Sequence, residues 1–74
     1  MPGKTQLVVP RNGKWAVRKS GSTRVSRYFK TQSEAIEAAR DIAKREHTEL
    51  YIFGSDGRIR ERNSYESDPF PPPG

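Results

Sequence analysis

The chain has no cysteine and a single histidine in 74 residues. Without thiols there is neither a disulfide framework nor a thiolate zinc site, and the absence fits a reducing compartment. Apolar residues are scarce, at 31%. A chain this short buries one small core, and such a core leaves only a few kcal/mol of net stability. No apolar run approaches the roughly 20 residues needed to cross a bilayer. The run from Leu7 to Val9 is far shorter than the core of a signal peptide. The expectation is a soluble, cytoplasmic protein with no membrane partner.

The absence that says most is of acid. Residues 1–30 hold eight lysines and arginines and no aspartate or glutamate, whereas residues 31–74 hold six positives and nine negatives. The net charge of +5 is therefore the sum of a strongly basic half and a mildly acidic one. Such asymmetry implies a directed electrostatic field rather than general solvation.

Within the basic half, β-branched and apolar residues at 5–9 predict a strand. Asn12-Gly13 is the strongest short hairpin signal, because a type I′ turn needs positive φ at both central residues. "KWAVRK" then alternates Trp15 and Val17 against Lys14, Ala16 and Arg18. "SGS" at 20–22 makes a second turn into "TRVSRYF". Residues 5–30 thus predict a three-stranded antiparallel meander. With Trp15, Val17, Val25 and Phe29 facing a helix, Lys14, Arg18, Arg24, Ser26 and Tyr28 face outward. Strict alternation puts Arg27 on the core side, which requires a bulge or an edge position.

Thr31-Gln-Ser-Glu34 fits a capping box, and Ala35, Ile36, Ala39, Ile42 and Ala43 form one apolar stripe at helical spacing. "ELYIF" at 49–53 predicts a fourth strand. "GSDG" at 54–57 is a hairpin turn rather than a phosphate loop, since it lacks the spacing of a Gly-rich nucleotide motif and opens no helix. "RIRERN" predicts a fifth strand with Ile59 inward and Arg58, Arg60 and Arg62 sharing the outer face. The fold class expected is α+β: a meander, one helix on one face, one or two further strands in a mixed sheet, and a proline-rich tail. Residues 1–66 form the domain. Residues 67–74 form the tail, a polyproline II segment expected to pack back on the domain through Phe70.

Arginines and lysines interleaved with aromatics suit a nucleic-acid platform, in which charges neutralise phosphates and rings stack on bases. The residues expected there are Arg11, Lys14, Arg18, Arg24, Tyr28, Arg58, Arg60 and Arg62, with DNA and RNA equally open. Charged outer and edge strands also serve simply to prevent edge-to-edge aggregation. The alternative is a protein-interaction or self-association module using Tyr51, Phe53 and Phe70. An enzyme is not expected: His47 sits at a helix end, and the serines lie in turns with no base beside them. No metal or cofactor is expected, because there is no His/Cys pair and no calcium-loop spacing.

Several of these motifs occur in fixed order: Trp15 after the first turn, Thr31 opening "TQSEAIEAA", the "GSDGRI" turn, and the closing Asp68-Pro69-Phe70-Pro71-Pro72. Over about residues 7–74 the chain resembles the bacterial family known as domain of unknown function 2188. The resemblance implies that the tail belongs to the domain; it implies no particular activity and transfers no functional residue. The strand-strand-strand-helix opening is also similar to the DNA-binding arm domains of phage integrases, at fold level only.

Overall fold

The computed structural model describes residues 5–22 and 24–65. Strands β1 (Gln6–Arg11) and β2 (Lys14–Lys19) form a hairpin closed by Asn12 at φ 52° and Gly13 at φ 78°. Those are the two left-handed residues a type I′ turn needs. Strand β3 (Val25–Phe29) follows, then helix α1 (Gln32–Glu46), β4 (Glu49–Phe53) and β5 (Ile59–Ser64). The sheet runs β3-β2-β1-β4-β5, antiparallel except where β1 pairs parallel with β4. The chain is α+β with a five-stranded mixed sheet, as the sequence predicts. Strands β3 and β4 point the same way, with β2 and β1 between them.

Strand β1 is central, and its composition says why. Gln6, Leu7 and Val8 are all buried: Gln6 and Val8 lie on the helix side, and Leu7 sits on the other face between its register partners Arg18 and Tyr51. Pro10 lies beyond the three-residue parallel pairing with β4, so its missing N–H costs no ladder bond on that side.

Helix α1 starts where its capping residue dictates. The Thr31 hydroxyl accepts a hydrogen bond from the Glu34 backbone N–H at 3.2 Å, satisfying one of the free donors of the first turn. It ends at His47, which adopts a left-handed conformation at φ 56°. Ala35, Ala39 and Ala43 are fully buried against Val8, Val17, Leu50 and Ile52. A stripe of methyl groups lets the helix axis approach the sheet closely, with Trp15, Phe29, Ile36, Ile42 and Tyr65 completing the margin. Tyr65 is tied in by its N–H, which donates to the Thr48 carbonyl at 3.0 Å. The end of the domain at residue 66, the tail at 67–74 and Phe70 lie outside the described residues.

Candidate functional site

Since Val8, Val17, Leu50 and Ile52 face the helix, their neighbours along each strand face the other way. Register partners share a face, so the outer surface can be assembled strand by strand. One row crosses all five strands as Val25, Arg18, Leu7, Tyr51 and Arg62. A second holds Tyr28, Ala16 and Val9 on β3, β2 and β1, with Phe53 and Ile59 paired on β4 and β5. At the hairpin tip Arg11 pairs with Lys14, both exposed.

The charge on this face is of one sign apart from Glu49. Arg11, Lys14, Arg18 and Arg62 are its cations, and Glu49 is its one acid among the described residues. Arg18 Nη1 donates to the Ser22 carbonyl at 2.8 Å, which holds the guanidinium beside the loop into β3. The Arg62 guanidinium lies 5.6 Å from the centroid of the Tyr51 ring, a cation–π stack. Tyr28 is half exposed and Ile59 is 41% exposed, whereas Leu7 and Ala16 are buried. The centre of the face is therefore low and apolar, with rings and cations around it.

Two register shifts move residues away from where strict alternation puts them. On β3 the pairing passes from Val17–Arg27 to Arg18–Val25, leaving Ser26 as the extra residue of a bulge. Val25 consequently turns outward and Ser26 joins the helix side, the reverse of the expected arrangement. Arg27 does stand on the helix side, as alternation requires. It does so at the sheet edge, exposed, with its guanidinium 5.4 Å from the Phe29 ring centroid.

On β5 the pairing passes from Ile52–Glu61 to Phe53–Ile59 and skips Arg60. Ile59 is thus on the outer face and not inward as expected. Arg60 is also not an outer-face residue. Its Nη1 donates to Gln32 Oε1 at 3.2 Å, and Gln32 Nε2 donates to the Phe53 carbonyl at 3.0 Å. Arg58 lies in the turn, its N–H held by Asp56 Oδ1 at 3.1 Å. The three arginines do not share a face; only Arg62 remains with the platform. Arg24 is exposed in the segment leading into β3.

The helix side carries a different feature. An open groove of about 660 Å³ runs between edge strand β3 and α1, with Arg27 and Lys30 on the strand wall. Glu34, Glu37 and Asp41 form the helix wall, over a floor of Phe29 and Ala38. Two cations face three carboxylates across this groove, so its charge is mixed and slightly acidic. Among the described residues no group of three or more His, Cys, Asp or Glu is placed to hold a metal ion. No helix among them is long and apolar enough to cross a membrane.

Leu7, Val9, Val25 and Ile59 are the outer-face residues that sequence reasoning missed. A signal existed for the first two. "LVV" is a continuous apolar run, which places apolar residues on both faces of a strand. No comparable signal exists for Val25 and Ile59, whose direction depends on where each bulge falls.

A family model described as an uncharacterized protein conserved in bacteria (DUF2188) matches residues 6–65, and the chain belongs to that family. It is 36% identical over 59 residues to the uncharacterized protein YdaT of Bacillus subtilis (strain 168). That alignment covers 80% of this chain and 39% of the relative, so the chain spans about two fifths of that relative's length. No solved structure matches the chain.

Proposed function

We propose that this family member is a non-enzymatic cytoplasmic module that binds nucleic acid through the outer face of its sheet. The observation that carries the reading is the segregation of charge. Arg11, Lys14, Arg18 and Arg62 stand around Tyr28, Tyr51 and Phe53, with Glu49 the sole acid of that face among the described residues. Cations neutralise phosphates, and the rings beside them stack on bases. Arg24 adds charge from the loop into β3. Arg58 and Arg60 strengthen the field without touching the ligand.

The test is anisotropy of labelled single-stranded DNA, single-stranded RNA and duplex DNA between 50 and 200 mM salt, a range over which phosphate-contact binders weaken steeply. Micromolar binding that falls with salt, and falls further in Arg18→Glu, supports the reading. Absence of binding to all three at 50 mM refutes it.

A second reading, a protein-interaction or self-association module, draws on the apolar rows of the same face. It predicts a tight dimer or a captured partner whose affinity responds little to salt. Self-pairing through the sheet edges is the weaker form of it. Each edge strand carries a bulge and exposed charge, Arg27 on β3 and Glu61 on β5, the devices that discourage edge pairing. Scattering at several concentrations separates the two readings.

A further inference from the structure

We infer that the outer face takes single-stranded nucleic acid in preference to duplex, with Tyr28 as a base-stacking residue. This rests on the nucleic-acid reading above. A duplex offers a protein its phosphates and the edges of its bases, and to read those edges a side chain must rise into a groove. On this face no helix rises among the described residues, and its tall side chains, Arg18, Tyr28 and the stacked pair Tyr51 and Arg62, flank a low middle. The helix packs on the opposite side, and the central positions are Ala16, Leu7 and Val9, with Ala16 and Leu7 buried. A duplex resting there would meet the marginal cations and leave the apolar rows facing its charged backbone.

A single strand offers what those rows lack, the flat faces of unpaired bases. Tyr28 is half exposed at the β3 edge and pairs with Ala16, so the side chain directly opposite it on β2 is short. On the far half of the face, Phe53 and Ile59 pair across β4 and β5, and Ile59 is also exposed. Neighbouring strands lie about 4.8 Å apart, so β3 to β5 spans about 19 Å. The narrower, four-stranded sheets of a common RNA-binding module stack two or three bases. Cations stand along the same path, Arg18 in the adjacent row on β2 and Arg62 on β5. Stacking on rings tolerates any base, and nothing in the two rows is aimed at a ribose hydroxyl. The site therefore accepts single-stranded DNA and RNA alike.

The experiment compares the full chain on labelled 12-mers of one sequence at 50 and 100 mM salt: single-stranded DNA, single-stranded RNA and duplex DNA. The expected result is single strands bound at least tenfold more tightly than duplex, with DNA and RNA within about fivefold of each other. Tyr28→Ala lowers single-strand affinity by about 5- to 160-fold, the loss of one stacked base, and leaves duplex affinity unchanged. Tyr28→Phe retains the ring and the affinity, and an unchanged melting temperature in both variants removes folding as a cause. Duplex binding as tight as single-strand binding overturns the inference and leaves the nucleic-acid reading standing, as does an equal effect of Tyr28→Ala on both. RNA bound more than tenfold over DNA overturns the stacking account in favour of hydroxyl recognition. Failure to bind any of the three at 50 mM overturns both.

Discussion

Ala39→Leu is the sharpest test of how this fold is held together. Ala39 is fully buried at the centre of the alanine stripe that lies on Val8, Val17, Leu50 and Ile52. Its walls are the sheet and the helix backbone, so three extra carbons fit only if the whole helix moves away. Overpacking of this kind costs about 1–3 kcal/mol. At about 0.05–0.15 kcal/mol per residue, some 60 packed residues hold about 3–9 kcal/mol. The substitution therefore removes a large share. At about 4–8 °C per kcal/mol for a domain of this size, the melting temperature falls by about 4–24 °C. Ala38→Leu is the control. The intrinsic cost in a helix is the same small one, but Ala38 is half-buried on the open groove beside β3. There leucine has room, and the melting temperature shifts by no more than a few degrees in either direction. Thermal denaturation by circular dichroism of both variants decides it. Equal shifts, or a rise with Ala39→Leu, would show that close helix–sheet approach through the alanines is not what stabilises the domain.

Three further outcomes follow from single contacts. Thr31→Ala removes the hydroxyl that accepts from Glu34 N–H and should cost about 0.5–2 kcal/mol in urea denaturation, with Thr31→Ser retaining most of it. Gly13 has φ +78°, and a Cβ added there would meet nothing within 4 Å. Gly13→Ala should therefore cost only backbone strain, about 1 kcal/mol, and Gly13→Asn less. For single-stranded ligands, four outer-face cations imply a log–log salt slope of about −2.8, or about 50-fold weaker binding at 200 than at 50 mM salt. Arg18→Ala should reduce that slope by about 0.7, and an unchanged slope would remove Arg18 from the phosphate contacts.

The elements of this fold are legible because local signals agree with tertiary ones. Asn12-Gly13 supplies two residues that tolerate positive φ, and the chain turns there. Thr31 and Glu34 mark the helix start, and the alanine spacing marks the face that the sheet covers. The place of β1 at the centre of the sheet is less evident, since nothing local says which strand β4 will join. The continuous run Leu7-Val8-Val9 carries that information in muted form, because a strand with apolar residues on both faces gains most between neighbours on either side.

The candidate site was harder to read, and the reason lies in two residues. A strand has a period of two, so one extra residue reverses the alternation on one side of it, here at the bulge and just before it. Ser26 does this on β3 and Arg60 on β5. Each bulge sends one apolar residue, Val25 or Ile59, to the outer face, while Ser26 and Arg60 take the helix side. Arg27 stays there too, lining the same groove as Glu37 and Asp41, and Arg60 bonds to Gln32. The edges thus give up cation and gain apolar surface relative to an unbroken alternation. An unbroken face with Arg60 and Ser26 on it would suit a duplex backbone, bound by charge alone. The bulged face has fewer charges and two more aliphatic groups beside its rings, and it gains most from a polyanion whose bases are free to stack.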